Sequence, residues 1–190
     1  MTDRAAGFFG LAATACFTIS LLVFADIYPG YSHATKAISE LGAIGAPHQV
    51  GWNLLGFMLP GLLLAFHGWG VGQAGHDRIA AVLFSLAGLS FAATSIPVDM
   101  SSYHLPTSQA HITASLDVFV FWLMASLKLA LRGGSTRLSR VTTISLWLAA
   151  AAGVVRFSGL VFPGTGQRLA FAAFFVWVLA TSLVLVFSKK

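Results

Sequence analysis

The chain has 190 residues, of which 57% are hydrophobic and 9% are charged, and its mean hydropathy is +0.82. A soluble domain usually carries about 25% charged residues, so this composition excludes a water-soluble globule. One membrane-crossing helix needs about 20 mostly apolar residues. We therefore expect a single all-α domain, residues 1–190, that crosses a membrane about six times.

Neither the net charge nor the cysteine content indicates a soluble partner or a thiol site. The net charge is +5, but the basic residues are scattered between apolar runs rather than gathered on one face, as nucleic-acid binding requires. The single cysteine, Cys16, excludes an internal disulfide and a multi-cysteine zinc site. We expect membrane lipids and no nucleic acid among the partners, and the sequence identifies no protein partner.

Apolar runs predict six membrane-spanning helices. The predicted bounds are 5–25, 50–71, 79–98, 108–131, 141–160 and 169–187. Pro60 is expected to kink the second span, because proline has no backbone N–H. The connection after the first span is the longest, and within it Ala34 to Leu41 is predicted as a short helix that ends at Gly42.

Basic residues are distributed unevenly between the two ends of these spans. With the N-terminus in the cytoplasm, the inner side carries Arg4, Arg78, Lys128, Arg132, Arg137, Arg140, Lys189 and Lys190, and the outer side carries Lys36, Arg156 and Arg168. The positive-inside rule therefore predicts that both termini are cytoplasmic. It favours a multi-pass protein of the inner (cytoplasmic) membrane.

Asp117 is an acidic residue within the predicted fourth span, where a charge costs about 3 kcal/mol. It needs a partner or water, and Arg156 near the outer end of the fifth span is the expected partner, because an arginine fork matches a carboxylate. Lys128 is about 16 Å along the same helix and is expected to point inward instead. A transporter with a path lined by Asp117 and Arg156 is one function that this pair leaves open.

Asp99, His104 and His111 lie around the junction of the third and fourth spans. The short connection is expected to bring them together as acid–base groups or as ligands of a divalent metal such as zinc. That site would serve a membrane-embedded hydrolase or transferase acting on a lipid. Helix capping is the structural alternative, since no H-E-x-x-H or paired-cysteine spacing is present.

Short motifs along nearly the whole chain resemble a family of bacterial and archaeal membrane proteins, domain of unknown function 998. The motifs are Ile38-Ser39-Glu40-Leu41-Gly42, Gly45-Ala46-Pro47, Asn53 with Gly56-Phe57 and Pro60-Gly61-Leu62, Ile96-Pro97-Val98-Asp99, His111, and Gln167-Arg168 before Trp177. The resemblance implies six helices and an outer polar cluster, and it supplies no reaction. Its matched positions are Ser39, Glu40, Asn53, Asp99, His111 and Arg168.

Together these observations predict an outward-facing polar pocket. It is framed by the first outer connection, the junction of the third and fourth spans, and the outer ends of the second, fifth and sixth spans. The predicted binding residues are Ser39, Glu40, Asn53, Asp117, Arg156 and Arg168. A non-enzymatic protein that binds a lipid or small ligand is the favoured function, with the lipid-directed enzyme and the transporter as alternatives.

Overall fold

The computed structural model describes residues 1–131 and 136–187, which form six long helices without a strand in those two ranges. The helices are α1 (Asp3–Asp26), α2 (Gln49–Ala74), α3 (Arg78–Ala93), α4 (Pro106–Leu131), α5 (Arg137–Phe157) and α6 (Pro163–Phe187). The predicted all-α class and the six helices are confirmed. Arg132, Lys189 and Lys190 of the charge argument lie outside the described residues.

Five of the helices are long and apolar enough to cross a membrane, and α3 is a shorter apolar helix of 16 residues. At 1.5 Å per residue, α3 extends about 24 Å. Successive helices run in opposite directions, so the start of α1 and the end of α6 lie at one end of the bundle, here called the terminal face. The connections 27–48, 94–105 and 158–162 lie at the other end, the loop face. The assignment of these faces to the two sides of a membrane stays a prediction.

The helices form a ring in chain order, closed by contact between α1 and α6, and the α4–α5 seam is the sparsest contact between neighbours. Aromatic side chains fill the centre of the ring. Phe17 of α1 stacks on Phe175 of α6 with ring centroids 4.5 Å apart, and Phe91 of α3 meets Phe175 edge-on at 5.8 Å. Such offset and edge-to-face pairs contribute specific packing beyond burial alone.

Buried polar groups tie three helices together in the terminal half of the bundle. His67 of α2 is fully buried, and its two ring nitrogens lie 2.9 Å from the carbonyl oxygen of Ala6 in α1 and 3.1 Å from the hydroxyl of Thr181 in α6. The Thr181 hydroxyl donates in turn to the carbonyl of Trp177 at 2.7 Å. Because an unpaired polar group in an apolar interior is costly, this network holds α1, α2 and α6 in register.

Pro60 produces a π-helical turn rather than a simple kink. Residues Asn53–Met58 of α2 are π-helical, and in that register the carbonyl of Leu55 would pair with the N–H that Pro60 lacks. Two side chains of α1 supply the missing hydrogen bonds, since Ser20 Oγ and Cys16 Sγ donate to the Leu55 carbonyl at 3.2 Å and 3.3 Å. The expected irregularity is therefore also a polar link between α1 and α2.

Helix α3 ends earlier than the predicted span 79–98. Its last residue is Ala93, and the hydroxyl of Thr94 donates to the carbonyl of Phe91 at 2.6 Å. Pro97 follows three residues later, where its ring disfavours a helical conformation of the preceding residue. Apolar composition continued past the helix end, so the hydropathy pattern overestimated its length.

The connection 27–48 folds over the loop face, and we call it the strap. The predicted helix from Ala34 to Leu41 is instead a 3₁₀ turn, Ile38–Gly42. Asn53 Nδ2 donates to the carbonyl of Gly42 at 3.0 Å, and a Cβ on Gly42 would collide with the Asn53 side chain. Glycine at this position therefore lets the strap lie directly against α2.

Candidate functional site

A cavity of about 640 Å³ lies towards the loop face between α4, α5 and α6. Most of its lining is apolar, including Phe119, Leu146 and Phe171. Leu116 and Phe157 line the cavity and are also 62% and 83% exposed on the outside of the bundle. The cavity therefore opens sideways through the α4–α5 seam, where a membrane-embedded bundle meets lipid.

The polar side chains of the lining lie near the loop face. They are Ser39 of the strap, Thr94 after α3, His111 and Ser115 of α4, Arg156 of α5 and Gln167 of α6. The deeper lining is hydrocarbon and aromatic. The cavity thus has one polar end and one apolar end, the division found in ligand pockets that fix a few polar groups and bury the rest.

One face of α4 builds much of the cavity. His111, Ser115, Phe119 and Trp122 follow one another at spacings of four, four and three residues, which places them on one side of a helix. The Nδ1 atom of His111 lies 2.9 Å from the carbonyl oxygen of Ile96. Because a carbonyl only accepts, Nδ1 carries the hydrogen and Nε2 is left as an acceptor.

Trp122 contributes an unpaired donor to this wall. Its side chain is 1% exposed, and its indole N–H has no acceptor among the described residues. A buried N–H normally finds a partner, because leaving it unpaired costs about 1–3 kcal/mol.

Arg156 is the cavity-lining residue with a permanent charge. Its Nη1 lies 3.5 Å from the carbonyl of Pro163, at the limit of a hydrogen bond, and its guanidinium lies 5.6 Å from the centre of the Phe157 ring. The expected pair with Asp117 is not formed. At 100° per residue Asp117 points roughly 160° away from Ser115 on α4.

Asp117 is half-buried, and its side-chain carboxylate makes no hydrogen bond or ion pair within residues 1–131 and 136–187. It does not line the cavity either. Lys128, on the same face of α4, lies with its Nζ 3.5 Å from Asp77 at the start of α3. Lys128 therefore pairs with a helix-capping aspartate at the terminal face, and its inward direction in the membrane stays a prediction.

Arg168 holds the strap on α6. Its Nη1 donates to the carbonyls of Lys36 and Gly164 at 2.8 Å and 2.9 Å, and its Nη2 donates to the hydroxyl of Tyr31 at 2.6 Å. Its Nε donates to Nδ1 of His33 at 3.2 Å. With its nitrogens committed in this way, Arg168 is a structural latch rather than a free cation.

The latch changes the titration of its neighbours. Burial, and then the nearby Arg168 charge, lower the pKa of His33. Burial raises the pKa of Tyr31, and the charge and hydrogen bond of Arg168 oppose that shift. Both residues lie in the strap, so the docking of the strap depends on their uncharged forms.

Further contacts order the 3₁₀ turn above the cavity. The carbonyl oxygen of the Gln167 side chain accepts the N–H of Ile38 at 2.8 Å, and Glu40 Oε1 accepts the N–H of Ala37 at 2.7 Å. Glu40 therefore caps the turn in which it lies. Ile38 and Ser39 of the same turn line the cavity, so these bonds position its roof.

The structure does not assemble the expected metal site from Asp99, His104 and His111. Asp99 Oδ1 accepts both the backbone N–H and the hydroxyl of Ser101, at 2.8 Å and 2.6 Å, and these bonds lower the pKa of Asp99. His104 is exposed, whereas His111 is buried beside Ile96. Across the described ranges, no three His, Cys, Asp or Glu side chains are placed to hold a metal ion.

The predicted residues thus separate into groups. Ser39, His111 and Arg156 line one cavity, whereas Glu40, Asn53 and Arg168 hold the strap that covers it. Asp99, His104 and Asp117 lie outside the cavity. The sequence did not indicate Thr94, Trp122 and Gly153 as lining residues. Only Trp122 had a recognisable signal, because it follows His111 at helical spacing on the same face of α4.

These features define a multi-pass helical membrane protein with a cavity that opens sideways between α4 and α5. The chain belongs to the family described as Protein of unknown function (DUF998), whose profile matches residues 11–184. The resemblance found from the short motifs is thereby confirmed. No curated protein and no solved structure gives a match.

Proposed function

We propose that this protein binds a membrane amphiphile, with an acyl chain in the cavity between α4, α5 and α6 and the head group at the loop face. The observation that carries the proposal is the division of the cavity lining into an apolar deep part and a polar loop-face end. That order matches a lipid in a bilayer, where head groups lie at the surface and chains lie within.

The way into the cavity supports a ligand from the membrane. Leu116, Leu123 and Phe157 line the opening and are exposed on the side of the bundle. On the loop face, the strap covers the cavity through Ile38 and Ser39, and the bond between Ile38 and Gln167 holds that cover in place. A ligand therefore enters more easily from the lipid side than from water.

Selectivity for a particular amphiphile has to come from the polar end. An acyl chain that moves from the bilayer into the cavity gains little hydrophobic free energy, because lipid tails are as apolar as leucine. Shape and hydrogen bonding then decide which lipid is retained. The groups available for hydrogen bonding include the Ser39 hydroxyl, the Gln167 NH₂ group and the acceptor nitrogen of His111. The Ser115 hydroxyl already donates to the carbonyl of His111 at 2.8 Å, so only its oxygen is left to accept.

Filling the cavity tests the proposal. A Cβ added at Gly153, which lines the cavity, meets no atom within 4 Å, so Gly153→Phe starts its side chain in open space and directs added volume into the cavity. Ala151→Phe adds the same ring on the exposed side of α5, away from the cavity, and is the matched control. Lipid retained through detergent purification would be quantified by native mass spectrometry.

We expect the wild type and Ala151→Phe to retain a lipid and Gly153→Phe to lose it, with all three proteins unfolding at similar temperatures. Equal lipid retention in the three proteins, or no retained lipid in a folded wild type, contradicts the proposal. Thermal unfolding in the same detergent separates loss of a ligand from loss of the fold.

A further inference from the structure

We infer that the cavity selects an amphiphile with an anionic head group, and that the Arg156 guanidinium recognises it. This inference rests on the lipid binding proposed above and specifies the class of lipid. None of the lining residues in the described part of the chain is acidic, and Arg156 is the permanent cation among them. The charge at the polar end of the cavity is therefore complementary to an anion.

Most hydrogen-bond donors of Arg156 are unused, whereas most of those of Arg168 on the same face are occupied. Five N–H donors belong to an arginine side chain. Within the described ranges, Arg156 makes one hydrogen bond, the 3.5 Å contact with the carbonyl of Pro163. Arg168 makes four, to Lys36, Gly164, Tyr31 and His33, all at 3.2 Å or less. Four of the five donors of Arg156 are therefore left for a ligand, against one of the five donors of Arg168.

Neighbouring side chains supply further donors at the same end. The carbonyl oxygen of Gln167 already accepts the N–H of Ile38, so its NH₂ group is left to donate. The Ser39 hydroxyl lines the same end of the cavity. Glu40, the acidic residue next in sequence, is turned away to cap the N–H of Ala37 and does not oppose an anion here.

The position of Arg156 fits a head group rather than a chain. Arg156 lies in the last turn of α5, at the loop face. The apolar lining residues Trp122 of α4 and Leu146 of α5 lie deeper in the bundle. A cation in the last turn of a helix also interacts with the helix dipole. Arg156 could thus stabilise α5 without binding a ligand. For this reason the test measures discrimination between ligands, which a purely structural role of Arg156 would leave unchanged.

The test compares ligands that share one chain. The delipidated protein in an uncharged detergent would be titrated with oleoyl lysophosphatidate, oleate, monooleoylglycerol and inorganic phosphate, with binding followed by native mass spectrometry. The variants are Arg156→Gln and Arg156→Lys. Lys36→Gln is the control, since it removes a positive charge from the same face and its ammonium lies over Tyr28 rather than in the cavity.

For the wild type and Lys36→Gln, we expect the anionic amphiphiles to bind about 10-fold more tightly than monooleoylglycerol, the size of effect typical of a charged hydrogen bond. Arg156→Gln removes that preference and leaves monooleoylglycerol binding unchanged, and Arg156→Lys retains part of it. Inorganic phosphate alone does not bind measurably.

Three results would overturn the inference: a wild type without a preference for anionic amphiphiles, a preference that survives in Arg156→Gln, or inorganic phosphate binding as tightly as the lysophosphatidate. Binding of monooleoylglycerol that Gly153→Phe abolishes would uphold the proposed lipid site even then. If no amphiphile binds the folded protein, the proposed function fails together with the inference.

Discussion

Helices α2 and α3 meet through small residues on both sides, whereas α4 presents large residues towards α5 and a cavity lies between these two helices. A Cβ on Gly72 would collide with the backbone of Ala81, and a Cβ on Gly88 would collide with the backbone of Ala65. Close approach of this kind drives helix association in bilayers, where van der Waals packing replaces the hydrophobic effect. The α2–α3 seam is therefore closed by backbone contact.

The α4–α5 seam lacks that close approach. Leu116 and Leu123 of α4 and Leu146 of α5 line the space between the two helices. Ala149, Ala150 and Gly153 of α5 are small, but nothing lies within 4 Å of the position of a Cβ on Gly153. The contrast shows that glycine marks a tight seam only where the facing helix also presents small residues.

The largest expected effect tests this contrast directly. Gly72→Leu should destabilise the bundle strongly, because the added side chain meets the backbone of Ala81, which cannot rotate away. Overpacking of a core costs about 1–3 kcal/mol and sometimes more. Gly153→Leu adds the same side chain to open space and should leave the unfolding temperature close to that of the wild type. Equal destabilisation of the two variants would break the comparison.

An effect of intermediate size is expected on the docking of the strap, which covers the cavity at the loop face. Arg168→Gln removes the donors to Lys36, Gly164 and Tyr31. Hydrogen bonds to a charged group contribute about 1.5–3 kcal/mol, so trypsin cleavage after Lys36 should be at least about 10-fold faster. Arg156→Gln removes the same charge without releasing the strap and serves as the control. Unchanged cleavage in Arg168→Gln would show that the strap is held by other contacts.

The smallest expected effect is a pH dependence of the same docking. Neutral His33 accepts a hydrogen bond from Arg168, and its pKa is lowered in the docked strap. The docked form then binds fewer protons than the released form, so docking weakens as pH falls below about 6.5, the ordinary pKa of histidine, and levels off below the lowered pKa. Because His33 is exposed, we expect the equilibrium constant for docking of the strap to change less than about threefold over this pH range.

Hydrogen exchange of the strap amides, corrected for the intrinsic rate at each pH, measures this change. The pH dependence should disappear in His33→Gln. Its persistence in that variant would assign the titration to another group.

Much of the fold followed from the sequence, because each membrane span is a local pattern. Apolar runs located all six helices, and the kink expected at Pro60 is a π-helical turn that ends just before it. The error at the end of α3 has the same origin, since hydropathy continues after the helix has been ended by Thr94 and Pro97. Composition reports burial in lipid, and it does not report which backbone hydrogen bonds are made.

The site was harder to predict, because it depends on which way side chains point around their helices. Asp117 and Arg156 are both near the outer half of adjacent spans, but rotation around α4 separates them. Asp99 is near His111 in sequence, yet it is used by Ser101 in its own turn. The contact between Gln167 and Ile38 could not be predicted either, because it joins positions that lie far apart in the chain.

The sequence by itself determined that this is a six-helix membrane protein, because the amount and spacing of apolar residues allow no other way to satisfy the backbone in lipid. Only the tertiary structure decided which polar residues share a cavity and which hold the strap. Arg156 and Arg168 look alike in sequence, as basic residues near the outer ends of neighbouring spans. They differ because the strap lies against α6, where its residues accept three hydrogen bonds from Arg168. The Arg156 side chain lines the cavity instead and makes one long hydrogen bond, to the carbonyl of Pro163.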